Sequence, residues 1–190
     1  MDNYLEAPAK VSLLNDSVNI RLKKYCDQII NTFSKIPEYL NVKLVFLGDG
    51  CKRTSLEKLT TRLKRSHRII FKGAVNDVNK QLINADFYLS ASDSEGMSNS
   101  LLESMALGVP SIVSNVSGVD EIVIDNQNGF IFEPRNEKEL YEKLIKAINC
   151  KEENYIKMSR SASQHILKKF SIELIAKEHI KLYTSLVNNF

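Results

Sequence analysis

Ser94-Glu95-Gly96-Met97-Ser98-Asn99-Ser100-Leu101-Leu102-Glu103-Ser104-Met105-Ala106-Leu107-Gly108-Val109-Pro110 carries two acids eight positions apart, one in a loop and one in a helix. Glu95 follows the strand-like run Asp86 to Ser90 and precedes a glycine. Glu103 lies early in an apolar segment closed by Gly108-Val109-Pro110, after which Pro110 to Val113 is again strand-like. The stretch is therefore the loop and helix of a β-α-β unit. The first amides of such a helix have no partner inside it and form the positive end of its dipole. Two carboxylates flanking that end suit a ligand bearing both hydroxyls and phosphates.

Working outward, the same alternation covers the chain. Lys10 to Leu14, Val42 to Leu47, Arg68 to Phe71 and Gly129 to Phe132 are predicted strands. Between them, Arg21 to Ile36 has apolar residues at helical spacing and is followed by Pro37. Thr54 to Arg65 is striped by Leu56, Leu59 and Leu63, and Asn76 or Asp77 caps a helix containing Val78, Leu82 and Ile83. Glu137 to Ile148, Glu152 to Lys169 and Ile172 to Val187 are predicted helices. Short strands alternating with longer helices predict an α/β fold, a Rossmann-like parallel sheet flanked by helices. Ligands of such sheets lie beyond the carboxyl ends of the strands. The loops Gly48-Asp49-Gly50, Lys72-Gly73-Ala74-Val75, Ser92 to Ser98 and Ser114 to Gly118 are expected to converge there.

The bulk numbers fit one soluble domain over residues 1–190. Residues 1–18 form an ill-defined N-terminal segment and 171–190 a C-terminal helix. Of the 190 residues, 43% are hydrophobic and 26% charged, ordinary for a globular chain. A net charge of +3 gives no argument for nucleic acid. Cys26, Cys51 and Cys150 are widely spaced and cannot all pair, so free thiols and a reducing, cytoplasmic setting are expected. The start has neither a basic nor an apolar region of a signal peptide, and no apolar run approaches a membrane span. Seven basic residues between Lys52 and Arg68, against Glu57 alone, form a solvated helix face or, in a minority reading, a peripheral contact with anionic lipid at the inner face of a membrane.

Each acid has a local alternative. Ser100-x-x-Glu103 matches a capping box, in which Glu103 would bond the helix's own first amides. A helix starting at Ser98 or Asn99 leaves Glu103 free for a ligand. Glu95 could be a solvated loop acid. Asp93-Ser94-Glu95 is too short a pattern to establish a metal clamp. Gly48-Asp49-Gly50 follows a strand but has Arg53 where a dinucleotide fingerprint needs its third glycine. His67, His165 and His179 have no ligand spacing, and no metal is expected.

Ala85 to Ser92 with Glu95-Gly96, Glu103 to Pro110, and Gly118-Val119-Asp120-Glu121-Ile122-Val123 with Asn128-Gly129-Phe130 together resemble the donor-binding half of the group 1 glycosyltransferases. These are retaining enzymes of glycosyltransferase family 4 with the two-domain GT-B fold. The resemblance runs from about Lys24 to the C-terminus. It implies a nucleoside diphosphate sugar, UDP or GDP type, as donor and a glycan or lipid-linked acceptor. Glu103 would accept from the ribose hydroxyls, Glu95 would contact the transferred sugar, and the amides of Gly96, Met97, Ser98 and Asn99 would hold sugar and phosphate. The backbone of Lys72-Gly73-Ala74-Val75 would meet the base, Gly48 would also bind the donor, and Lys24 would meet the diphosphate. No metal or other cofactor is implied. The family's glycines before the arginine and after the lysine of its G-R-L…K-G stretch are replaced, by Ile20 before Arg21 and by Tyr25 after Lys24.

The family's N-terminal acceptor half, with its histidine near the reacting sugar, has no counterpart in the sequence. The expectation is a half-site that needs an N-terminal-half partner chain or self-association, along the stripe Ile172, Ile175, Ala176, Ile180, Tyr183 and Val187. A non-catalytic binding fragment or split-transferase subunit, a sugar epimerase of the same fold, and a Rossmann-like domain without sugar chemistry are the alternatives.

Overall fold

The structure is a computed structural model that describes the backbone of residues 10–14 and residues 25–93 and 98–187 in full. Six strands form one parallel sheet: β1 (Lys10–Leu14), β2 (Lys43–Leu47), β3 (Ile69–Phe71), β4 (Phe87–Ser90), β5 (Ser111–Ser114) and β6 (Gly129–Phe132). Their order is β3-β2-β1-β4-β5-β6. The chain winds outward from β1 to β3, returns to the middle at β4, and winds outward the other way. That is the doubly wound arrangement expected from the sequence.

Helices α1 (Tyr25–Ser34), α2 (Arg53–Arg62) and α6 (Glu137–Ile148) cover one face. Helices α3 (Val78–Ile83), α4 (Asn99–Ala106) and α7 (Glu152–Lys169) lie together on the other. Side chains alternate across the sheet and divide the core in two. Phe87 and Leu89 of β4, Ile112 of β5, and Phe130 and Phe132 of β6 pack with Ile30, Phe33 and Leu144. Tyr88 and Val113 face the opposite way and pack with Leu101, Met105 and Ile166. Each fully buried side chain of this size is worth roughly 1.5–3 kcal/mol, so both faces contribute substantially. A strand buried on both faces reads as an unbroken apolar run, which is how these strands appear in the sequence.

The helix ends follow local chemistry. Asp77 caps α3 by accepting from the Lys80 amide at 2.9 Å, and Asn136 caps α6 through the Glu139 amide at 3.1 Å. At the end of α4, Gly108 has φ 78°, its amide donates to Met105 O, and the Val109 amide donates to Ser104 O. This is a Schellman stop; a residue with a side chain at Gly108 would resist that backbone. A four-residue helix, α5 (Val119–Ile122), was not expected. Its end is fixed by the fully buried Asn128, which accepts from the Ile124 amide and donates to Ile122 O.

The basic run of the sequence divides on folding. Lys58, Arg62 and Lys64 are exposed, as a solvated face requires, but Arg68 is buried. Its guanidinium donates to the carbonyls of Val42, Ile36, Pro37 and Leu40 and lies over the Phe33 ring. Arg68 thus closes the loop after α1 rather than facing solvent. Burial lowers its pKa, with the Arg65 charge acting in the same direction.

The last helix, α8 (Ile172–Val187), has no buried residue. Ile172 is 72% exposed and Tyr183 60% exposed. Its apolar stripe does not fold onto the sheet, so the possibility of packing on its own domain is overturned.

Candidate functional site

Strand order reverses between β1 and β4. In a doubly wound sheet the carboxyl ends of the strands at such a reversal are where ligands sit. The loop after β4 begins with a set of bonds that the sequence did not reveal. The Ser114 hydroxyl, at the end of β5, donates to Ser92 O and accepts from the Ser92 amide, both at 2.8 Å. One buried side chain thereby satisfies both backbone groups of a residue that has left the sheet. Next along the loop, Asp93 accepts from Nε of Arg135 at 3.1 Å and from its Nη2, an ion pair across 42 positions of sequence. That carboxylate raises the Arg135 pKa through hydrogen bonding and charge. Asp93 is therefore already engaged, which weighs against the Asp93/Glu95 clamp. Among the described residues no group of three or more His, Cys, Asp or Glu could hold a metal.

Ser98 is the N-cap of α4. Its backbone is extended there (φ −79°, ψ 107°), and its side chain does not cap the helix. Instead Ser98 Oγ lies 3.2 Å from Ser100 Oγ, which in turn lies 3.0 Å from Tyr88 OH. The hydroxyl chain ties the helix start to β4, and among the described residues no side chain accepts from the first-turn amides. Beneath it, Ser90, Ser92, Ser98, Leu101 and Ser114 help to line an open crevice of about 310 Å³, solvent included.

The start at Asn99 decides between the two readings of Glu103. With Asn99 as the first helical residue, Glu103 is the fifth, two positions beyond the reach of a capping box. Glu103 is exposed and makes no hydrogen bond or ion pair among the described residues. A carboxylate on the second turn of a helix, without a partner, offers acceptors only.

Of the other sequence-predicted residues, Glu95, Gly96, Met97 and Lys24 lie outside the described residues, as does Arg21. Gly48 and Gly73 are brought together: the Gly48 amide donates to Gly73 O at 2.8 Å, with φ 99° and 69°. Val75 follows, half-buried. The expected convergence therefore occurs as two joined pairs, the loops after β2 and β3 on one side of β1 and those after β4 and β5 on the other. Sequence reasoning missed Ser114, Tyr88, Ser100, Arg135 and Arg53 as organisers of these loops. Ser114 carried a weak signal, as the first residue after an apolar strand; Arg135 carried none.

The profile of the family described as glycosyl transferases group 1 matches residues 17–165, and the chain belongs to that family. An uncharacterized glycosyltransferase of Methanocaldococcus jannaschii is 33% identical over 166 residues, 85% of this chain and 42% of the relative. A glycosyltransferase from Rickettsia africae superposes with a TM-score of 0.87 at 20% identity, covering 97% of this chain and 49% of that one. Anabaena HepE, solved with UDP and glucose, superposes at 0.81 and 19% identity, covering 94% of this chain and 49% of that one. At those identities the likeness concerns the fold, which is that of the C-terminal domain of GT-B glycosyltransferases. The chain spans about two fifths of the length of the curated relatives it matches. Among the described residues no helix is long and apolar enough to cross a membrane.

Proposed function

We propose that this chain is the donor-binding half of a retaining glycosyltransferase that moves a sugar from a nucleoside diphosphate sugar, UDP or GDP type, to a glycan or lipid-linked acceptor. The observation that carries the reading is Glu103, exposed and without a partner among the described residues, on the helix that opens at the crevice. A carboxylate left unused by its own helix is suited to ribose hydroxyls, and the uncapped first-turn amides of α4 are suited to phosphate. In this reading Ser98 and Asn99, with Gly96 and Met97, hold diphosphate and sugar. Glu95 contacts the transferred sugar and Lys24 adds positive charge. Gly48, Gly73 and Val75 border the base. Charge on the leaving diphosphate is met by helix amides and cationic side chains, without a metal. HepE, of like fold, is solved with UDP and glucose, which supports the donor class.

A second reading, a binding subunit that turns nothing over by itself, is favoured by α8. Its apolar stripe is bare, and contiguous exposed apolar surface of this kind marks an interaction site. In this reading α8 joins an N-terminal-half partner chain or a second copy, and the chain alone transfers no sugar. A cytoplasmic setting, with peripheral contact at the inner face of a membrane through Lys58, Arg62 and Lys64, fits a lipid-linked acceptor.

The test is thermal stabilisation by a panel of nucleoside diphosphates and their sugars, followed by a turnover assay with polyprenyl and oligosaccharide acceptors. A ligand at 100 times its Kd adds about 2.7 kcal/mol, a readily measured rise in melting temperature. Stabilisation without turnover supports the half-site. Acceptor-dependent turnover by a clean monomer would place a complete active site within these residues.

A further inference from the structure

Arg53, in the first turn of α2, sits where three loops and strands meet. Its Nε donates to Glu57 Oε1 at 2.8 Å, one turn along its own helix. Its Nη1 donates to Asp49 Oδ2 at 3.3 Å, in the loop after β2, and its Nη2 donates to Phe71 O at 3.3 Å, at the end of β3. Asp49 also accepts from the Gly50 amide through Oδ1 at 2.8 Å. Gly73 completes the junction: a Cβ built there would lie 2.6 Å from Arg53 Nη1 and 3.8 Å from Asp49 Oδ2. The missing side chain at Gly73 therefore makes room for the guanidinium, in addition to permitting its positive φ. The Gly48 amide, bonded to Gly73 O, closes the same ring from the other side.

We infer that Arg53 is a positioning residue: it fixes the backbone after β3 against the loop after β2 and so sets the shape of the pocket that receives the donor's base. Stability does not account for the arrangement. Exposed ion pairs contribute about 0–1 kcal/mol, and the Arg53–Glu57 pair within α2 would serve a helix equally well without the other two bonds. A planar guanidinium instead holds three acceptors in fixed directions. β3 is the outermost strand of the sheet and has only three residues; the loop that follows it is tied to β2 by the Lys72 amide on Phe46 O and by the Gly48 amide on Gly73 O, and Arg53 adds the side-chain bond to Phe71 O. A shift in the Phe71 carbonyl moves Gly73 and Val75 with it. The part of the inference that concerns the base rests on the donor-site reading proposed above; the part that concerns the loops does not.

The experiment pairs amide hydrogen exchange of the unliganded chain with Kd values for UDP and GDP. The variants are Arg53→Met, Arg53→Lys and Arg62→Met, the last making the same change on the exposed face of α2. Arg53→Met is expected to speed exchange at the Gly48 amide and across residues 72–75 at least tenfold, with β4 and α4 unchanged. It is also expected to reduce the ratio of the two Kd values at least fivefold. Arg53→Lys, which keeps its charge toward Asp49 and loses the bond to Phe71, falls between, and Arg62→Met matches the parent chain. Unchanged exchange in Arg53→Met overturns the positioning role. Faster exchange with an unchanged UDP-to-GDP ratio overturns the link to the base. A parent chain that binds neither nucleotide refutes the donor reading, and with it the base role, while the exchange data still decide whether Arg53 holds the loops.

Discussion

Glu103 shows how much can hang on a helix boundary. A start two residues later would make it the third residue of the capping box written into Ser100-x-x-Glu103; the observed start at Asn99 leaves the carboxylate free. If it holds ribose, Glu103→Gln should weaken UDP and UDP-sugars alike by about 1.5–3 kcal/mol, roughly 10- to 100-fold in Kd. Glu95→Gln should weaken only the sugar-bearing ligand. Titration of folded variants with both ligands separates the two roles, and an unchanged UDP affinity in Glu103→Gln would return that residue to a local role. A second residue-scale expectation concerns Cys26. Burial, aided by the nearby Asp27 charge and opposed by Lys52, pushes its thiol from an ordinary 9.0 up to about 11. The folded state prefers the neutral thiol, so its contribution to stability is complete below pH 9 and is lost as pH rises toward 11. Tyr155, pushed up to about 12 chiefly by burial, acts in the same direction. The urea midpoint should hold from pH 7 to 8.5 and fall by pH 10.5, with a shallower fall in Cys26→Ala; equal slopes would exclude Cys26 as a cause. The sequence could not separate cations such as these by role. Arg53, Lys58 and Arg68 stand in one basic run, yet one organises loops, one faces solvent and one is buried among four carbonyls. Such roles depend on carbonyls 18 to 32 positions away.

Elements with a strong period were legible, and the one too short to show a period was not. α6, α7 and α8 occupy the spans expected from their apolar spacing, because long amphipathic helices repeat their signal over several turns. α5 has four residues, too few for any period, and depends on Asn128 for its end. The strands were found to within about a residue, since a buried parallel strand is a plain apolar run. Two element-scale predictions follow from the caps and tethers. Ser114→Ala removes a buried hydroxyl that bonds both backbone groups of Ser92, at a cost on the order of 1–3 kcal/mol. It should also increase exchange at the Ser92 amide. Arg68→Met removes the guanidinium from four carbonyls after α1, of which those of Pro37 and Leu40 keep backbone amide donors, and should cost on the order of 1–3 kcal/mol in urea unfolding. A change below about 0.5 kcal/mol in either variant would show that water replaces the lost bonds.

At the scale of the whole molecule, the parallel sheet flanked by helices was legible, while the pairing of the loops, Gly48 with Gly73 and Ser92 with Ser114, was not. The bare stripe of α8 predicts association. Light scattering of the intact chain should show a concentration-dependent dimer or larger species, and removal of residues 171–190 should leave a monomer with the same donor affinity. A monomeric intact chain at 100 μM, a concentration on the order of 100 times a micromolar Kd, would exclude self-association as the role of α8. In the proposed function these residues form a metal-independent site for a nucleoside diphosphate sugar, anchored by Glu103. Isothermal titration of UDP, GDP and their sugars into the parent chain and Glu103→Gln, in EDTA and again in Mg²⁺, tests it most directly. The account predicts saturable one-to-one binding of one nucleoside diphosphate, equal in the two buffers and weakened roughly 10- to 100-fold by Glu103→Gln. A folded parent chain that binds none of the ligands, or binds only with Mg²⁺ present, would contradict it.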